Sequence, residues 1–203
     1  MNNMESGTGS FSIGNDEDWE LVRRCQEGSK DPYFKEIVNR YYTLVFNIGF
    51  RFFSDKQMAE DTAQEVFLKV LQKIEEISIG KQPFVHWLCR VTTNTCKSHF
   101  RKRRTEEKNM DNTRECWYGD YGSDDEDMDD ETKIAVDNVN TGLQSLGKEE
   151  RMVLILSHIV ELKTTDIAPI VKKPRYTVRR ELRRGEEKLR KFIKQRMIEK
   201  NAV

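Results

Sequence analysis

Five polar side chains in the middle of the chain recur at a helical spacing: Arg90, Asn94, Lys97, Arg101 and Arg104, at steps of four, three, four and three. At about 100° per residue they fall in one line along a helix. Four of them are cations, one is an amide, and no acid interrupts the line. A solvated helix face ordinarily mixes both signs. A one-signed row at this pitch matches a polyanion whose charges also repeat, and nucleic acid is the natural choice. Asn94 can hydrogen-bond base edges. Trp87, at the seam between the cationic and apolar faces, offers an indole on which an unstacked base can lie. This combination suits single-stranded or melted DNA better than an intact groove. The simpler reading, a solvated basic face, remains open at this point.

A second cationic row lies near the end of the chain. Arg175, Tyr176, Arg179, Arg180 and Arg183 lie on or beside the side of a helix opposite the stripe Val178, Leu182, Gly185, Leu189 and Phe192. Arginine forks onto guanine or clamps phosphate, and Gly185 on the inner stripe permits close approach of another helix. A third candidate surface carries no base. Leu68 falls among Asp61, Glu65, Gln72 and Glu75 on the outward side of a helix whose core arc is Ala63, Val66, Phe67, Val70, Leu71 and Ile74. A leucine among acids is either an ordinary exposed residue or an anchor for a basic protein partner.

The elements that would position these rows are helical. Charged residues make up 34% of the chain and prolines number four, a balance that favours an all-α class. Helical periodicity runs from about Asp16, again from Pro32, over about 59–76, and from Phe84 through Arg104, which predicts a four-helix bundle. After 109 the periodicity stops. Residues 120–131 hold eight acids and no base, whereas residues 172–196 hold twelve bases against three acids. Helical patterning resumes at 132–145 and 148–161. A short segment, TTDIAPIV, a turn, KKP, and a long basic helix then suggest a helix-turn-helix. The predicted organisation is a disordered tail over 1–15 and a helical domain over 16–108. An acidic flexible linker over 109–131 then leads to a helix-turn-helix domain over 132–203.

Several function classes are disfavoured. No glycine-rich phosphate loop, nucleophile elbow or paired carboxylate is present, so no catalytic residue is expected and the chain is read as a non-enzyme without cofactor. His86, Cys89, Cys96 and His99 share a broad helix side. Yet Cys89 and Cys96 stand about 10 Å apart along the axis, too far for one ion with donors about 2 Å away, so no metal is expected. No apolar run approaches the length of a membrane span and the first residues lack a signal-peptide pattern. A cytoplasmic location with free thiols follows.

Taken in order, ELVRRCQEG, AEDTAQEVFLKVLQKI and FVHWLCRVTTNTCKSHFRKRR resemble the second conserved region of bacterial RNA polymerase sigma factors of the extracytoplasmic-function (ECF) type. LGKEERMVLILSHIVELKTTDIA and TVRRELRRGEEKLRKF resemble the fourth. The resemblance runs from about Asp18 to Ile193. It implies that Asp61, Gln64, Glu65 and Leu68 dock on the clamp helices of the largest subunit of core RNA polymerase. It further implies that residues 77–83 and the stripe Trp87, Arg90, Asn94, Lys97, Arg101 and Arg104 open and read the promoter's minus-ten element. Arg175, Tyr176, Arg179, Arg180 and Arg183 would read the minus-thirty-five element, in a domain that also meets the flap of the second-largest subunit. An anti-sigma factor is a further implied partner. Two features depart from the family: Lys172 stands where the turn usually has glycine, and Pro169 requires its helix to start at about Thr165 or later. A helix-turn-helix regulator unconnected with polymerase, and a sigma-like paralogue that binds polymerase without initiating, are the alternatives.

Overall fold

The computed structural model describes residues 15–28, 30–80, 82–109 and 130–201. The predicted tail and most of the predicted linker and of its acidic run lie outside these; the last two acids, Asp130 and Glu131, begin a helix. Among the described residues the chain is all helical. The first half comprises α1 (Asn15–Gln26), α2 (Lys30–Phe53), α3 (Lys56–Lys73), a single 3₁₀ turn (Ile74–Glu76) and α4 (Phe84–Asn109). The second half comprises α5 (Asp130–Gln144), α6 (Lys148–His158), α7 (Thr164–Val171) and α8 (Arg175–Asn201).

The local causes are legible residue by residue. Helix α2 carries Pro32 in its first turn, where a missing N–H costs nothing. Helix α3 begins at Lys56, earlier than its apolar periodicity indicates, because Asp55 caps it by accepting from the Met58 amide at 3.0 Å. Gly49 lets α2 cross α3 closely: a Cβ there would lie 3.2 Å from the Ala59 Cα. Helix α7 starts at Thr164, one residue ahead of the expected limit, and holds Pro169 in its interior. The proline deletes one helix donor. The short helix persists because Ile167, Ala168, Ile170 and Val171 are buried. It ends at Lys172, which is in the left-handed conformation (φ 57°, ψ 48°) and donates its amide to the Ala168 carbonyl.

Helix α4 lies at the centre. Phe84, Leu88 and Thr95 are buried on one side, and Val85, Cys89, Thr93 and Cys96 on another. Helices α2 and α3 pack against it from the first half and α7 from the second, while α5 and α6 pack on α2. A single apolar cluster therefore runs from Trp19, Tyr41 and Phe52 through Phe84 and Leu88 to Met152, Ile167 and Val178. In the second half, α8 seats on α5, α6 and α7. Gly185 is where α8 meets α6, since a Cβ would fall 2.7 Å from Leu154 Cδ1. Leu71 departs from the sequence pattern: it is exposed at the edge of the α3 core arc.

Candidate nucleic-acid interface

The segment leading into α4 is tied down from α1. The Gln26 side-chain amide donates to the Ile74 and Ile77 carbonyls at 2.7 and 2.9 Å, and the Trp19 indole N–H donates to the Gln82 carbonyl at 3.1 Å. Trp19 in turn meets Phe84 edge-on at 5.7 Å. Beneath it, Asp18 is buried and accepts from Arg40 at 2.8 Å and from the Tyr41 hydroxyl. Burial, and then the Asp18 carboxylate, push the Tyr41 phenol well above its ordinary range, so it stays a donor. The sequence pattern does not reveal this triad. Asp18 reads as one more acid in a helix's first turn, and its partners lie more than twenty residues away.

Helix α4 then distributes the expected stripe unevenly. Asn94, Arg101 and Arg104 are exposed. Trp87 is half-buried, its ring stacked on Phe84 at 5.8 Å and 23°. Arg90 is half-buried with its Nε shielded and without a hydrogen-bond partner. Lys97 is half-buried, its side chain 15% exposed, and it pairs with Glu149 of α6 at 3.2 Å. Of the four residues once weighed as metal donors, Cys89 and Cys96 are buried, which pushes both thiols up to about 12. His99 turns instead toward α3, where its ring nitrogens meet Thr62 and Glu65.

The second cationic row is fully presented. Arg175, Tyr176, Arg179, Arg180 and Arg183 are all exposed, Tyr176 at 71%, while Val178 is buried beneath them. Lys173 anchors the preceding turn by pairing with Glu181 at 2.6 Å and Glu149 at 2.8 Å.

On α3, Asp61 and Gln64 are exposed and Leu68 is 57% exposed, whereas Glu65 is half-buried. The Glu65 carboxylate serves the interior: Oε2 meets His99, and Oε1 accepts from Lys69, which also donates to Thr95 of α4 at 3.0 Å. Burial works against its charge, but Lys69 and His99 outweigh that and hold it below the usual carboxylate range. Tyr42 of α2 stacks on Phe67 of α3 and on Phe46, which stacks on Phe50, forming a partly exposed aromatic ladder along α2. The sequence signal for it was a four-residue repeat of aromatics, hidden among the core positions of the same helix.

Residues 37–106 match the family Sigma-70 region 2. Over 184 residues the chain is 29% identical to RNA polymerase sigma-H factor of Pseudomonas aeruginosa, covering 88% of this chain and 94% of the relative. Over 179 residues it is 26% identical to ECF RNA polymerase sigma factor SigW of Bacillus subtilis, covering 85% and 95%. A chain in the solved complex of CnrH with the cytosolic domain of CnrY superposes with a TM-score of 0.66 at 18% identity, over 89% of this chain and 99% of that one. One in the complex of the sigma factor RpoE with the anti-sigma factor NepR from Bartonella quintana gives 0.63 at 20%, over 79% and 96%. These structures share the helical fold. Residues 37–106 thus fall in the Sigma-70 region 2 family, and over almost the whole length of the curated relatives the chain is similar to RNA polymerase sigma factors, SigW being of the extracytoplasmic-function type.

Proposed function

We propose that the chain acts as a transcription initiation factor: it binds core RNA polymerase, recognises a promoter and helps to melt it, with no chemical step of its own. Three helix faces divide the work. Asp61, Gln64 and Leu68 on α3 dock on the clamp helices of the largest subunit. Trp87, Arg90, Asn94, Lys97, Arg101 and Arg104 on α4 engage the opening minus-ten element. Arg175, Tyr176, Arg179, Arg180 and Arg183 read the minus-thirty-five element, in a half that also meets the flap of the second-largest subunit. Glu65 acts behind the docking face, holding α3 to α4. The functional units are a tail over 1–15, a polymerase and minus-ten unit over 16–108, a linker over 109–131 and a minus-thirty-five unit over 132–203. Among the described residues no helix is long and apolar enough to cross a membrane, and the work is placed in the cytoplasm, where polymerase and promoter are. The relative RpoE is held by an anti-sigma factor, and a partner of that kind is proposed here too.

The observation that carries this reading is Leu68. A large apolar side chain stands 57% exposed, with exposed Asp61 and Gln64 on the same helix, whose opposite side is core. Its burial against a basic partner with an apolar centre contributes about 1.5–3 kcal/mol, and an aspartate there opposes docking. Run-off transcription with purified core polymerase tests the function directly. Initiation is expected from cognate promoter fragments with the chain present and none without it. Leu68→Asp should lose core affinity by 100-fold or more at unchanged helicity. A folded Leu68→Asp variant with wild-type core affinity would refute the docking face, and absence of initiation across genomic fragments would refute the function.

A further inference from the structure

The two halves meet through a polar seam that reaches the α4 stripe. Glu149, in the first turn of α6, places one carboxylate oxygen between Lys97 of α4, at 3.2 Å, and Lys173 of the turn before α8, at 2.8 Å. All three are largely enclosed, with side-chain exposures of 15%, 22% and 32% for Lys97, Lys173 and Glu149. Burial disfavours the Glu149 charge, but the hydrogen bonds and charges of Lys173 and Lys97 outweigh it and hold the carboxyl below its ordinary range. Around this point the seam continues. Thr93 meets the Met152 sulfur at 3.6 Å, and Lys148 lies over the Phe100 ring at 5.4 Å. Arg151 donates to the Phe52 carbonyl at 2.6 Å, and Arg51 bonds to Asn140.

On α4, Lys97 shares its side with the exposed Asn94 and Arg101. A nucleic-acid strand following that side would bring a phosphate to Lys97, and an anionic oxygen is already there. We propose that this arrangement is a closed state in which Glu149 occupies the place of a backbone phosphate on the α4 stripe, so that the free chain presents nucleic acid with α8 but withholds Lys97. The inference rests on the nucleic-acid role proposed above for α4. The carboxylate and the phosphate compete for one ammonium group. Moving the second half away from α4, as engagement of separated promoter elements requires, releases Lys97: at that ammonium group one anion is exchanged for another, while the apolar and Arg151 contacts across the seam are given up against the binding of both promoter elements. Glu149 thereby acts as a specificity device: weak, unpaired polyanions do not displace it, whereas a strand held at both ends does.

The test uses the full free chain and a fluorescein-labelled single-stranded 20-mer, followed by anisotropy over a range of salt. Glu149→Gln removes the charge and keeps the shape. It is expected to tighten binding about 5- to 10-fold and to steepen the salt slope by about 0.7, the contribution of one more phosphate contact on a single strand. Glu20→Gln on α1, where the carboxylate pairs with Arg23 and Arg24 rather than with a cation of α4, makes the same change in net charge and should move neither quantity. In a Lys97→Met background, Glu149→Gln should have no effect. Unchanged affinity and slope in Glu149→Gln, or the same gain in the Lys97→Met background, overturns the proposal. Should Glu149→Gln not melt as a folded protein, Glu149→Asp, too short to reach both lysines, is expected to shift binding in the same direction, and no shift overturns the proposal. Run-off transcription by the same variants is read in parallel. Failure of wild type and variant alike to initiate would count against the sigma role and leave the anisotropy difference, which measures the closed state alone, standing.

Discussion

The two cationic helices differ in what surrounds them. Arg179, Arg180 and Arg183 project from α8, a helix whose inner side is filled by its own half: Leu154 against Gly185, and Leu189 and Phe192 against Gly142. Nothing the first half does changes that outer face. Helix α4 has no comparable free side. It is held by α2 and α3 on one flank and by α7 on the other, so its cationic stripe is what remains between two packed surfaces, and Lys97 and Arg90 lie at the margin. One cationic face is presented as folded, and the exposure of the other depends on where the second half sits. Exposure of a charged row is therefore a property of the whole packing, not of the helix that carries it.

The seam that imposes this difference can be broken at Arg151. Its guanidinium is buried and donates to the Phe52 carbonyl at the end of α2, to the Gln144 carbonyl and side chain, and to the Leu146 carbonyl. Two helix C-terminal ends, each with partial negative charge, thus share one cation. Burial lowers the Arg151 pKa to about 10, still high enough to keep it charged at neutral pH. Arg151→Met leaves those acceptors unpaired and is expected to cost about 3 kcal/mol, lowering Tm by roughly 6–12 °C. Amide exchange along α4 should rise as the second half loosens. A loss under about 1 kcal/mol would mean that the apolar contacts alone join the halves.

Alanine substitutions on the two faces should diverge. Arg179→Ala removes an exposed side chain, so stability should stay within about 0.5 kcal/mol of wild type. Duplex promoter binding should weaken by about 1–3 kcal/mol if the arginine reads a base. Trp87→Ala cannot separate the two effects so cleanly. The half-buried ring stacks on Phe84, so the variant should lose stability, by less than the about 3–5 kcal/mol of a fully buried tryptophan. It should also lose permanganate reactivity at unpaired promoter thymines. Equal thermal penalties for the two variants would erase the distinction between the faces.

Much of this was readable from residue order because helices declare themselves locally. The period of Phe84, Leu88 and Thr95 marks α4, and the Val178/Leu182/Gly185 stripe marks the inner face of α8; both sides are buried or half-buried as expected. Burial of Lys97 was not readable. Its partner Glu149 lies 52 residues away and looks, in sequence, like an acid favouring a helix N-terminus. Arg151 reads as a solvated base beside two glutamates, and only the chain's return onto the end of α2, 99 residues earlier, makes it a buried donor. Glu65 fits the outward pattern of α3, yet its carboxylate turns inward because His99, one and a half turns beyond Asn94, reaches it. In each case a long polar side chain follows the helix pattern to within a few ångströms and then reaches around it, and periodicity cannot specify that last step.

The smallest expected effect concerns the turn that aims α8. Lys172 holds φ 57° and ψ 48° at the end of α7, a conformation in which a side chain costs about 1 kcal/mol relative to glycine. The same residue is the position where the sequence resemblance calls for glycine. Two opposing effects reduce the gain from restoring it. Glycine adds entropy to the unfolded chain, and the lost ammonium no longer complements the C-terminal end of α7, an effect of about 0.3–1 kcal/mol. Lys172→Ala separates these, because it removes the charge while keeping the Cβ. With the charge gone from both, the strain relieved in Lys172→Gly is opposed only by the unfolded-chain entropy, so it should be more stable than Lys172→Ala by about 0.5 kcal/mol at most, and level with or slightly below wild type, in thermal melts. The amide bonds from Lys172 and Lys173 to the Ala168 carbonyl should persist in both, so duplex binding through Arg179 and Arg183 should change by no more than one phosphate contact. If glycine is less stable than alanine by the full entropy difference of about 0.4–1 kcal/mol, the left-handed turn carries no strain. The exposed face of α8 would then owe its aim to the buried side of α7 alone.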